Sequence, residues 1–227
     1  MGIILENTIP LGRRKEEYIA MFNIQQEELT YSILDCGGGP SSFNREMTKD
    51  KGNVVSIDII YQFKDTEIQN RIDETFEDMM KQAQDNKDKF VWNHIASTTE
   101  LRNLRKTAMT MFIEDYQSGL KEGRYIYAQL PTLPFRDNEF DLALCSHLMF
   151  LYSDILSYEF HFESISEMLR VASEIRIFPI VDLNCNQSAY VEDIMASFKA
   201  KGYEVTIEAC GYEFQKGANK LMRIKKH

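Results

Sequence analysis

The chain has few of the features that mark a metal site, a membrane protein or a nucleic-acid binder. It holds only four cysteines in 227 residues, Cys36, Cys145, Cys185 and Cys210. They form no Cys-x-x-Cys pair and have no metal-type spacing, so no metal site is expected. Three fall in or beside predicted strands, where a free thiol behaves as a small apolar residue; all four are read as reduced core thiols. No stretch approaches the roughly 20 apolar residues of a membrane span. A basic excess is missing too: 26 Lys and Arg face 35 Asp and Glu, for a net charge of -9 and a pI near 5.1. A general nucleic-acid or anionic-membrane binder would need a basic face, so neither partner is expected. Charged residues, from Glu6 to Arg13, Arg14, Lys15, Glu16 and Glu17, precede any long apolar run, unlike a signal peptide. Met1-Gly2 also lacks the Ser or Thr at position six that myristoylation requires. The expectation is a cytoplasmic protein of one domain, residues 1–227, without repeats or linkers.

What is present is an alternation of strands and helices. The first helix is expected from about Arg14 to Phe22, with Tyr18, Met21 and Phe22 on one side. The strands are expected at Ser32–Cys36, Val54–Asp58, Arg124–Ala128, Phe140–Cys145 and Ile175–Val181, with a closing pair at Tyr203–Ala209 and Lys220–Ile224. Further helices are expected over Phe43–Asp50, from a cap at Ser153 or Asp154 to about Val171, and over Tyr190–Lys201, where Gly202 stops the turn. Between Asp58 and Tyr125 the pattern is helical. Ile68, Ile72, Phe76, Met79 and Met80 repeat at helix spacing, as do Leu101, Leu104, Ala108, Met111 and Phe112. A single crossover needs only about a dozen residues, so residues 62–123 are read as a helical insertion after the second strand. The fold class is α/β: a doubly wound, mostly parallel sheet with an antiparallel hairpin at its edge and ligands outside the carboxyl ends of its strands.

The run Ile33-Leu34-Asp35-Cys36-Gly37-Gly38-Gly39-Pro40 is the most informative motif. Glycine lacks a Cβ, so the chain can turn sharply beside a ligand after a strand. A nicotinamide fingerprint needs Gly or Ala three residues past the second glycine, and Ser42 stands there. Asp58, about 20 residues on at the end of the second strand, suits any adenosine ribose. Asp35 separates the alternatives: its charge opposes a pyrophosphate and favours a cationic amino-acid tail, as in S-adenosylmethionine (SAM).

Together with Leu133-Pro134-Phe135 leading into Phe140-Asp141, these residues resemble the class I SAM-dependent methyltransferases. The resemblance runs from about Ile33 to Ile224, apart from the insertion. It implies a Rossmann-like sheet of seven strands with the last antiparallel, and SAM as cofactor. It implies cofactor contacts from Asp35, Gly37, Gly38 and Gly39, from Asp58 on the ribose, and from Ile59 beside the adenine. Gln129 stands where the family commonly has an adenine-binding Asp, with Leu130 as the next backbone donor and apolar wall. Ser146 falls under the methionine part. Ser41 replaces a third loop glycine. The run that marks amino-group methylases of bases or glutamine is absent, since the chain reads Cys145-Ser146-His147-Leu148.

His147 is the His nearest this site and the candidate general base; the bland alternative is a hydrogen-bonded strand end. Tyr152 is read as wall ahead of an acceptor contact, and His94 and His161 as structural. Met79, Met80, Met109, Met111 and Phe112 are read as packing, with an acceptor pocket as the alternative. Tyr18, Met21 and Phe22 are candidates to close over the pocket. Arg13 and Arg14 are read as solvated surface ahead of contacts to an anionic substrate. The resulting expectation is a methyltransferase acting on a small molecule. A SAM- or SAH-binding module without catalysis, and a nicotinamide-dependent oxidoreductase, remain as alternatives. Oligomeric state is not legible.

Overall fold

The structure is a computed structural model and describes residues 11–226. Seven strands make one sheet: β1 (Ser32–Cys36), β2 (Asn53–Asp58), β3 (Tyr125–Tyr127), β4 (Phe140–Ser146), β5 (Ala172–Phe178), β6 (Glu204–Ala209) and β7 (Lys220–Lys225). Their spatial order is β3-β2-β1-β4-β5-β7-β6. β7 runs antiparallel to both its neighbours, and every other pairing is parallel. The order reverses between β1 and β4, so a crevice opens at their carboxyl ends, where doubly wound sheets bind ligands.

The helices are α1 (Lys15–Phe22), α2 (Phe43–Lys49), α3 (Asp65–Asp85), α4 (Thr98–Lys121), α5 (Tyr158–Val171) and α6 (Val191–Ala200). Because side chains alternate across a strand, the two faces of β1 feed different cores. Leu34 and Cys36 join the core beneath α5 and α6. Ile33 joins Tyr18, Phe22, Phe43 and Met47 of α1 and α2. A third core belongs to α3 and α4, where Tyr61, Phe112, Tyr116 and Tyr125 meet ring to ring. Among the described residues no helix is long and apolar enough to cross a membrane.

Several boundaries differ from the sequence expectation. β5 begins at Ala172 and ends at Phe178, earlier than expected at both ends. Glu174 and Arg176 disguise its start, because both are buried and satisfy each other within a network that includes Arg223 and Glu28. Pro179 ends it by lacking the N–H a ladder needs. α5 is capped by Ser157, whose Oγ accepts from the Phe160 amide at 3.2 Å, rather than by Ser153 or Asp154. The buried face of α4 carries Leu101, Arg105, Ala108, Met109, Phe112 and Tyr116, so Arg105 and Met109 take the inward places expected for Leu104 and Met111. All four cysteines are free; Cys36 and Cys145 are buried, whereas Cys185 and Cys210 are half-buried, Cys210 packed against the core beneath α1 and α2.

Candidate functional site

At the carboxyl ends of β1, β2 and β4 lies a cavity of about 640 Å3, within the range of small-molecule sites. Gly37, Gly38, Gly39, Asp58, Ile59, Gln129, Leu130, Ser146 and His147 all line it. Residues separated by more than a hundred positions therefore meet at one cavity.

The glycine loop is held from within. The Gly37 and Gly38 amides donate to the Ile57 carbonyl at 2.9 and 3.1 Å, and the Gly39 amide donates to Asp58 Oδ2 at 2.9 Å. The loop thus presents its contour rather than free N–H groups. Gly37 and Gly39 have φ of 72° and 54°, a region that favours glycine. A Cβ on Gly38 would lie 2.4 Å from Asp35 Oδ2.

Asp58 ends β2 and caps the following turn, with Oδ1 accepting from the Ile60 amide at 2.9 Å. Each carboxylate oxygen keeps acceptor capacity toward the cavity. Burial pushes this carboxyl upward, against the pull of the amides. Ile59, Ala128 and Leu130 give apolar wall beside it, and Gln129 stands exposed at the rim. This is the chemistry a ribose diol and an adenine ring require, so the residues fit the adenosine part of a group such as SAM.

Asp35 behaves otherwise. It shares the face of Ile33 in β1, under α1, and does not line the cavity. Tyr18 Oη donates to its Oδ1 at 3.1 Å and Ser56 Oγ to its Oδ2 at 3.0 Å. Burial pushes its carboxyl up to about 7, although both hydroxyls pull the other way. The sequence reading put this charge against a ligand tail; the structure puts it one layer behind Gly38. Tyr18 spans the gap, touching Asp35 and lining the cavity.

His147 follows β4 with φ of 53° and anchors its own amide on the Phe178 carbonyl at 2.7 Å. Its Nδ1 lies 2.8 Å from Ser146 Oγ. The ring lines the cavity and meets Phe178 edge to face. Burial, then the charges of Arg13 and Arg105, hold it well below the usual His range, so it is neutral at neutral pH. If Nδ1 carries the proton and donates to Ser146, Nε2 is left as an acceptor for the cavity. Tyr152 lines the cavity too, its phenol raised by burial. Of the expected methionine pocket only Met79 and Met80 line it; of the α1 aromatics, only Tyr18. His161 is buried in α5, with Nδ1 2.7 Å from the Ser157 carbonyl. His94 does not line the cavity, and Arg14 pairs with Glu46 at 2.8 Å.

Sequence reasoning missed Arg105 and Tyr212. Arg105 grips both oxygens of Glu17 at 2.7 and 2.6 Å, and Tyr212 Oη donates to Glu17 Oε1 at 3.0 Å. α1, α4 and the β6–β7 connection are thereby tied beside the cavity. Burial opposes the Glu17 charge, but Arg105 outweighs it and keeps the carboxyl low. One signal was available: Arg105 falls at helical spacing between Leu101 and Ala108. Tyr212 had none. Among the described residues no group of three or more His, Cys, Asp or Glu is placed to hold a metal.

The strand order, the antiparallel β7 and the glycine loop at the β1 switch point define a class I SAM-dependent methyltransferase-like fold. The chain is 39% identical over 223 residues to the uncharacterized protein MJ0045 of Methanocaldococcus jannaschii, covering 98% of each, and belongs to the same family. No protein-family model matches it. Among solved structures, a SAM-dependent methyltransferase from Aquifex aeolicus overlaps at TM-score 0.45 and 14% identity, covering 92% of this chain and 90% of that one. Magnesium protoporphyrin IX methyltransferase from Synechocystis PCC 6803, solved with bound SAM, gives 0.45 and 12%, covering 89% and 73%. At that distance the overlaps carry nothing about the site.

Proposed function

We propose that the protein is a SAM-dependent methyltransferase acting on a small molecule. The observation that carries this reading is Asp58, fixed by the Gly39 and Ile60 amides with acceptor capacity left toward the cavity, beside an apolar wall fit for adenine. SAM supplies a methyl group on a sulfonium: the acceptor's lone pair forms the new bond while the carbon–sulfur bond breaks, leaving S-adenosylhomocysteine. The protein's part is alignment and exclusion of water. Asp58 would hold the ribose end and Leu130 and Ile59 the base, with the Gly37–Gly39 turn beside them. Neutral His147 can take a proton from the acceptor through Nε2. A cavity within one chain favours a small acceptor, and the acidic surface disfavours nucleic acid.

Calorimetric titration tests the reading. S-adenosylhomocysteine is expected to bind, NAD not to, and Asp58→Asn to weaken binding by about tenfold or more, since a charged acceptor to two hydroxyls is lost. A folded protein that binds neither SAM nor S-adenosylhomocysteine would remove the reading.

A further inference from the structure

The cavity has an electrostatic character opposite to that of the chain. The protein carries a net charge of -9, yet Arg13, Lys89 and Arg105 line the cavity against one acid, Asp58. Arg105 is neutralised by Glu17. Arg13 is not: among the described residues no carboxylate pairs with it. Among the described residues only its Nη1 finds an acceptor, the Leu11 carbonyl at 3.4 Å, and the buried Nε finds none. Glu17 is the nearest acid by charge, but its oxygens are already taken by Arg105, Tyr212 and the Arg14 amide.

Its place is fixed with care. The Arg13 carbonyl accepts from the Ser42 amide at 3.0 Å and from the Ser41 hydroxyl, so the backbone is stitched to the segment after the glycine loop. The guanidinium lies within electrostatic reach of Tyr18, Tyr212, His147 and Tyr152. Arg13 is half-buried, and its buried Nε donor is left without an acceptor, which is costly unless something entering the cavity supplies one. The residue expected as solvated surface is half-buried and lines the cavity.

We propose that Arg13 is an anion receptor and that the acceptor taken by this cavity carries a carboxylate on an apolar body. A guanidinium fork matches a planar carboxylate with two parallel hydrogen bonds. A phosphate would call on backbone amides as well, and those of Gly37, Gly38 and Gly39 are already engaged. The same cavity is also lined by Leu148, Leu151, Met80, Leu101 and Phe214, apolar wall that suits a hydrocarbon or aromatic body. Charge balance points to the acceptor rather than the cofactor tail. SAM brings a net positive charge of its own, so a cavity holding SAM and an uncompensated Arg13 still lacks an anion. Assigning the carboxylate to a methyl acceptor rests on the methyltransferase reading; the anion site itself does not.

The test follows the Arg13 Nε–H resonance in protein labelled with 15N arginine during titration with formate, acetate and benzoate. Benzamide serves as the uncharged analogue of benzoate. The wild type, Arg13→Gln and Arg13→Lys are compared, with and without saturating S-adenosylhomocysteine. The expected result is a carboxylate-induced shift of that signal. Benzoate should bind at least tenfold more weakly to Arg13→Gln, with Arg13→Lys between, and benzamide should not distinguish the three. Binding should persist with S-adenosylhomocysteine present. Carboxylates that leave the signal unmoved, or bind wild type and Arg13→Gln alike, overturn the proposal. Competition with S-adenosylhomocysteine, together with a loss of its affinity in Arg13→Gln that 5′-methylthioadenosine does not share, assigns Arg13 to the cofactor tail and overturns the acceptor assignment. If S-adenosylhomocysteine fails to bind while benzoate still needs Arg13, the anion site stands and the methyltransferase reading falls.

Discussion

Asp35 shows how a single residue can be found by sequence and still be misplaced. Its position at the end of β1 is legible, because an apolar run ends there and glycines follow. Its direction is not, because alternation sends it to the face of Ile33 and under α1, away from the crevice. The internal pairing of the loop amides with Ile57 and Asp58 is equally invisible, since it joins segments about 20 residues apart. Burial of Asp35 has a measurable cost. Below about pH 4 the group is protonated both folded and unfolded. From there to about 7 the unfolded chain releases the proton while the folded chain keeps it, so the folded state loses stability as pH rises. The slope is at most about 1.4 kcal/mol per pH unit and flattens above the folded value. Asp35→Asn removes the ionisation, so its urea midpoint relative to wild type is expected to climb between pH 4.5 and pH 8. Parallel pH profiles for the two proteins would contradict this account.

At the scale of elements, β1, β2 and β4 were legible because they are short apolar runs bounded by turns. β5 was harder, because Glu174 and Arg176 are buried there as ion pairs and read as surface. α3 and α4 were legible as helices from spacing alone, but which side of α4 turns inward was set by Arg105 seeking Glu17 across a distance of 88 residues. That pair is nearly inaccessible, with side-chain exposures of 2% and 12%. Removing one partner of such a pair leaves a buried charge and costs about 3–5 kcal/mol. Arg105→Met is therefore expected to lower the urea midpoint sharply. Adding Glu17→Gln should recover part of the loss, because the stranded carboxylate is then gone. A double variant no more stable than Arg105→Met alone would show that Arg105 acts through packing instead.

For the molecule as a whole, the cavity is enclosed by α1, α3, α4, the loops after β3 and β4 and the β6–β7 connection, while α6 contributes nothing to its lining. Ligand binding should therefore stabilise these parts together. At a hundredfold excess over Kd, S-adenosylhomocysteine is expected to add about 2.7 kcal/mol to unfolding. Hydrogen exchange should slow in α1 and in residues 211–218 while α6 stays unchanged; uniform slowing across the chain would show that this division is absent. The tie among Glu17, Arg105 and Tyr212 also bears on how the protein is made. Strands β1 to β5 can pair as they emerge from the ribosome. Tyr212, however, arrives after all of them, and it completes the Glu17–Arg105 pair beside the cavity. A nascent chain stalled before that residue would carry most of the sheet and yet lack the third member of that tie.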